Sequence, residues 1–141
     1  MALICDTGLL FAAIDRADED HAACAKLLAT STEALVVPAP VVVELEWLVS
    51  SRLGQHVFDA FLADVDEGRV RIADLTRGDY VRVRELCTQY SDLPLGFADA
   101  AVLALVERLN EVKLATLDQR HFRIVRPRHT SSLLLLPVPA S

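Results

Sequence analysis

The sequence predicts an α/β fold, with a mostly parallel sheet covered on both faces by helices. Three observations point there. Short apolar runs alternate with stretches of helical periodicity. The connections between them are short and carry little hairpin chemistry, so successive strands return through helical crossovers. The chain has 141 residues, 52% of them apolar, enough for one sizeable core and too few for two ordinary domains. Residues 1–141 therefore read as a single domain.

The elements follow in order. Ala2 to Cys5 is a buried strand that stops at Asp6, with Thr7 and Gly8 turning the chain into a helical stretch. After the acidic punctuation from Asp15 to Asp20, His21 to Ala29 reads as a helix with Ala23, Leu27 and Leu28 at helical spacing. Leu35 to Val37 is a second strand, ended by Pro38. Pro40 suits the first turn of a helix running to about Ser51. Gly54 opens another helix whose stripe is Val57, Phe58, Phe61, Leu62 and Val65, closed at Gly68. Val70 and Ile72 alternate with Arg69 and Arg71 as a third strand. Thr76 and Asp79 form a capping box for a helix with Tyr80, Val83, Cys87 and Tyr90 on its apolar side. Phe97 to Asn110 is helical, Lys113 to Leu117 is a fourth strand ending at Asp118, and Ile124 and Val125 offer a fifth before Pro127. Leu133 to Leu136 is a further apolar run, suited to a last strand or to a contact with a partner.

In parallel sheets ligands bind beyond the carboxyl ends of the strands, near the point where strand order reverses. Asp6 and Asp118 sit at such ends. Asp99, in the first turn of its helix, lines up with Val102, Leu103 and Val106, and Glu44 is expected to share a face with Val41, Trp47 and Leu48. Burying clustered carboxylates is costly unless a cation compensates. Oxygen ligands with no accompanying His or Cys favour magnesium or manganese over zinc, and such an ion serves phosphodiester hydrolysis. Spacing alone leaves this signal weak, because a chain with 20 acids offers many such quartets.

The net charge of -6 is unevenly spread. Residues 1–67 hold 12 acids and 3 bases, whereas residues 68–141 hold 8 acids and 11 bases. Twelve of the 14 bases are Arg, whose planar fork of donors matches phosphate, so the acidic total does not exclude nucleic acid. Cys5, Cys24 and Cys87 are odd in number and set in apolar segments, which favours reduced core thiols. The first apolar run is broken at Asp6 and no uncharged run approaches a membrane span, so a cytoplasmic protein with no membrane partner is expected.

The segments Ile4-Cys5-Asp6-Thr7-Gly8, Val43-Glu44-Leu45, Asp92-Leu93-Pro94-Leu95-Gly96-Phe97-Ala98-Asp99-Ala100 and Ala115-Thr116-Leu117-Asp118 with Phe122 resemble those of the PIN-domain toxins of the VapC family. The likeness spans essentially the whole chain, in order, and its third and fourth motifs are the specific ones. It implies a three-layer α/β/α sandwich with sheet order 3-2-1-4-5. It also implies a magnesium- or manganese-dependent endoribonuclease in a type II toxin-antitoxin pair, neutralised by a VapB-type antitoxin. By position the family's acids carry over to Asp6, Glu44, Asp99 and Asp118 as catalytic metal ligands, with Thr7 and Thr116 orienting them. A homodimer and an RNA substrate of the tRNA or rRNA class are further implications. The chain departs from the family after Asp118, where Arg120 and His121 stand in place of a further acid, which puts a second ion in doubt.

Competing readings narrow the set. Glu46 is read as a partly exposed neighbour of Glu44, Asp92 as a turn residue, and His21 and His56 as surface residues. Trp47 is read as core or interface packing. Arg120 and Arg123, leading a stretch that continues through Arg126, Arg128 and His129, suit contact with RNA phosphates or, equally, a solvated surface run, with Arg120 the best placed for the former. Loop or single-stranded RNA, with its backbone splayed, suits an acidic pocket best. The alternatives are a catalytically silent PIN-like module that binds RNA or protein, and a receiver-like phosphoacceptor domain. The latter lacks the expected neighbouring acids and lysine.

Overall fold

A computed structural model describes residues 1–139. Its elements are β1 (Ala2–Cys5), α1 (Thr7–Ile14), α2 (His21–Thr30), β2 (Ala34–Pro38), α3 (Ala39–Arg52), α4 (Gln55–Asp66), β3 (Val70–Ala73), α5 (Arg77–Gln89), α6 (Phe97–Arg108), β4 (Lys113–Ala115), α7 (Gln119–Ile124) and β5 (Leu134–Leu136). The sheet runs β3-β2-β1-β4-β5, the order expected. Every pairing is parallel. The central strand β1 is buried at all four positions, as a strand covered on both faces must be.

The chain builds outward from β1 to β3 and then returns to the other side of β1 for β4. Right-handed crossovers consequently place α1 to α4 over one face and α5 and α6 over the other. The reversal point lies between β1 and β4, whose register pairs Cys5 with Ala115. The residues that follow, Asp6 and Thr116, emerge side by side at the sheet's carboxyl edge. α6 is buried continuously from Ala100 to Val106, which suits a helix packed between the sheet and α5.

Local chemistry explains the helix starts. Asp6 caps α1, its Oδ1 accepting the Leu9 N–H at 3.2 Å. The capping box at α5 is present in full: the Asp79 N–H donates to Thr76 Oγ1 at 3.1 Å, and the Thr76 N–H to Asp79 Oδ2 at 2.9 Å. Gly54 precedes α4 at φ 109°, where any side chain would be strained.

Several expectations are corrected. Ile124 and Val125 form no strand. The six-residue α7 stands there instead, because Phe122 and Val125, three apart, both turn into the core. The fifth strand is β5, from the Leu133–Leu136 run, paired Lys113 with Leu134 through Ala115 with Leu136. β4 ends at Ala115, and Thr116 to Asp118 belong to the turn beyond it. On α3 the buried line is Val41, Leu45 and Val49, so Glu44 and Trp47 face outward, and Trp47 is not core. On α5 the buried side includes Asp79, Arg82, Val83 and Leu86, leaving Tyr80 outside. Leu62 of α4 is likewise exposed. All three cysteines are free thiols, with Cys5 and Cys24 buried. No helix among the described residues is long and apolar enough to cross a membrane.

Candidate active site

Four elements deliver side chains to the carboxyl edge of the sheet: the end of β1, α3, the first turn of α6, and the turn between β4 and α7. Asp6 is nearly enclosed, and both its oxygens are held. Oδ1 takes the Leu9 N–H, and Oδ2 accepts a hydrogen bond from the Thr116 hydroxyl. Thr116 Oγ1 in turn accepts the Asp118 N–H at 3.0 Å. One buried hydroxyl thus ties the first acid to the backbone of the last. On the other side Thr7 Oγ1 donates to Glu44 Oε1 at 2.6 Å, which fixes an otherwise exposed carboxylate of α3.

The electrostatics follow from this crowding. Burial pushes the Asp6 carboxyl up to about 7, opposed by the Thr116 and Leu9 hydrogen bonds and reinforced by the charges of Asp99 and Asp118. Asp99 is shifted up from the ordinary carboxylate range, first by burial and then by Asp118 and Glu44, with His121 opposing. The four acids of the sequence reading therefore lie within electrostatic reach of one another in a chain of neighbours: Asp6 with Asp99 and Asp118, and Asp99 with Glu44.

The tightest group differs from the expected quartet. It consists of Asp99, Asp118 and His121, which offer one ligand atom each, all within 4.8 Å of one another. His121 Nδ1 lies 3.1 Å from Asp118 Oδ2 and 4.0 Å from Asp99 Oδ2. From the sequence His121 is expected only to occupy a missing acid's place, and the expected ligand set contains no histidine. Its three-residue offset from Asp118 signals a shared helical face once residues 119–124, of which only Ile124 is assigned to an element from sequence, are seen to form α7.

This donor set fits a divalent cation. Hard carboxylate oxygens dominate it, and the like charges that raise the Asp6 and Asp99 carboxyls are what such an ion would relieve.

Next to the acids, a groove of about 690 Å³ is lined by Pro40, Val43, Glu44, Tyr80, Phe97 and Asp99. Tyr80 and Phe97, both about half exposed, stack across it with ring centroids 6.1 Å apart. The basic stretch divides. Arg120 and Arg123 are exposed on α7, with Arg123 bonded to Gln119 at 3.1 Å. Arg128 is instead engaged with Glu85 and, through its N–H, with Glu107, while His129 Nε2 meets the Glu111 carbonyl. Asp92 is exposed in the turn before α6, outside the cluster.

A parallel 3-2-1-4-5 sheet whose central strand ends in gathered acids defines the PIN domain class. The PIN domain family matches residues 3–127, and the chain belongs to that family. Ribonuclease VapC26 of Mycobacterium tuberculosis (strain ATCC 25618 / H37Rv) is 35% identical over 135 residues, which cover 96% of this chain and 100% of that relative. Among solved structures, Mycobacterium tuberculosis VapC20, a sarcin-ricin loop cleaving toxin, gives a TM-score of 0.74 at 20% identity over 79% of this chain and 86% of that one. VapBC2 from Rickettsia felis, bound to a DNA fragment from their promoter, gives 0.68 at 22% identity over 96% and 97%. At such identities the two structures speak for the fold.

Proposed function

We infer that this chain is a toxin endoribonuclease of the VapC type, the toxin half of a type II toxin-antitoxin pair, which hydrolyses phosphodiester bonds in RNA. The observation that carries the reading is the set of carboxylates at the sheet's reversal point, in a chain whose family match spans that set. Asp6, Asp99, Asp118 and Glu44 would hold magnesium or manganese. A bound divalent ion supplies activation of the attacking water and neutralisation of charge on the phosphate.

The chain's own residues do the positioning. Thr116 fixes Asp6 against the Asp118 backbone, and Thr7 fixes Glu44, so the oxygens converge without having to be ordered when RNA arrives. Arg120 and Arg123, on the helix that follows Asp118, meet the flanking phosphates. The Tyr80–Phe97 shelf accepts an unstacked base from a loop, and this directs the proposal toward structured RNA of the tRNA or rRNA class. A VapB-type antitoxin is the proposed partner. The outward apolar residues Val43 and Trp47 of α3 support a homodimer.

The test is cleavage of a total-RNA preparation by purified protein freed of antitoxin. Cutting should need added magnesium or manganese and stop with a chelator. Asp6→Asn and Asp99→Asn should each lower it by about 100-fold or more. If wild type and both variants behave alike, the protein is a silent binding module and the enzymatic reading is lost.

A further inference from the structure

We propose that His121 is a nitrogen ligand of the same ion and turns the site from magnesium toward first-row transition ions, with manganese the ion to test; the proposal rests on the nuclease reading above. Neighbouring ligands of an octahedral ion with bonds of about 2.1 Å are roughly 3 Å apart, and opposite ligands about 4.2 Å. The His121 Nδ1 distances of 3.1 Å to Asp118 and 4.0 Å to Asp99 fall in that span. One ion could therefore touch all three residues with little movement.

A second observation concerns the ring itself. His121 is 12% exposed, and its Nδ1 is buried with no hydrogen-bond partner among the described residues, although the Asp118 carboxylate lies 3.1 Å away. A buried polar atom without a partner is costly and calls for a reason. Ligation by the Nδ1 lone pair, with the ring proton on Nε2, satisfies it.

The ring is also held in place. Phe122 anchors α7 in the core, and Gln119 Nε2 donates to the carbonyls of Thr116 at 3.2 Å and Pro137 at 2.9 Å. The helix is thereby fixed in the rotation that presents His121 beside Asp118. Magnesium strongly prefers oxygen, whereas imidazole suits transition ions, so one nitrogen among the carboxylates shifts relative affinity toward manganese.

The competing role is that of a fixed positive charge, with protonated His121 standing in for a cation, and the two roles predict opposite signs. The experiment titrates manganese into the purified wild-type chain and into His121→Asp, His121→Ala and Asp99→Asn, with magnesium as competitor. Free manganese is read by electron paramagnetic resonance, histidine coordination by pulsed resonance on protein with 15N-labelled histidine, and folding of each variant by circular dichroism. Expected are a nitrogen coupling in wild type that both His121 variants lack, and a manganese-over-magnesium preference that falls about tenfold or more in His121→Asp. Manganese binding that Asp99→Asn weakens, but without nitrogen coupling or with tighter binding in His121→Ala, overturns the histidine assignment and leaves the nuclease reading standing. Failure of wild type to bind either ion overturns both.

Discussion

Asp6 carries the heaviest electrostatic load of any residue in the site. Its folded-state pKa of about 7 stands above the ordinary 3.8, so between those values the folded chain keeps a proton that the unfolded chain releases. Stability of the metal-free protein should therefore fall as pH rises from about 4 to 7, with a slope of at most about 1.4 kcal/mol per pH unit from this group. Asp99, shifted in the same direction, adds to the trend. Urea midpoints in the presence of a chelator at pH 5 and pH 8 check this, and Asp6→Asn should flatten the difference; an unchanged slope would mean that Asp6 titrates normally. Thr116 offers a second test at this scale. Thr116→Val keeps the shape but removes the hydroxyl that joins Asp6 to the Asp118 N–H. Manganese affinity, read by calorimetry, should weaken by about 10- to 100-fold with folding retained. The acids and both threonines were legible in the sequence because the motifs fix their order. The outward direction of Glu44 was not, because helical periodicity on α3 admits two faces and packing on Val41, Leu45 and Val49 chooses between them.

Among elements, α5 and α6 are joined by two ion pairs. Arg82 donates to both oxygens of Glu107, at 2.7 and 2.9 Å, and Arg108 clasps Asp79, the residue that completes the α5 cap. Burial raises the Glu107 carboxyl, but the Arg82 hydrogen bonds, the Arg128 N–H and the two arginine charges together hold it below its usual value. Glu107 therefore contributes stability that is present above the ordinary glutamate pKa and is lost as pH falls through the folded value. Glu107→Ala leaves the buried Arg82 with only the more distant and more exposed Glu85, at 3.3 Å, and should cost about 3 kcal/mol in chemical denaturation. A loss below about 1 kcal/mol would show that water replaces the pair. Most elements were legible from period and caps, with the Thr76–Asp79 box the clearest case. The segment after Asp118 misled because Ile124 and Val125 have strand-forming side chains in a stretch too short to show a helical period. His121 was legible only as a replacement for an acid, because no helix was expected over residues 119–123 to turn it toward Asp118.

For the molecule as a whole, metal binding and folding should be linked. An ion that binds the folded chain and not the unfolded one raises the melting temperature with concentration. Because protons compete for Asp6, millimolar manganese should raise Tm more at pH 8 than at pH 6. Differential scanning fluorimetry measures both, and equal shifts at the two pH values would remove Asp6 from the ligand set. The fold class was legible because β1 and β2 are apolar runs separated by amphipathic helices. The sheet order came from resemblance to a family, since alternation alone does not choose among parallel topologies.

The family match ends at residue 127, yet the Thr116 N–H donates to the Leu136 carbonyl at 2.8 Å and Gln119 reaches Pro137. The final strand thus works as a splint across the β4–α7 turn. A version of this chain cut after residue 127 would retain every acid in the candidate site and lose the brace that sets the spacing of the last ones. Differences in this terminal stretch between relatives can therefore retune the site without changing a residue within it.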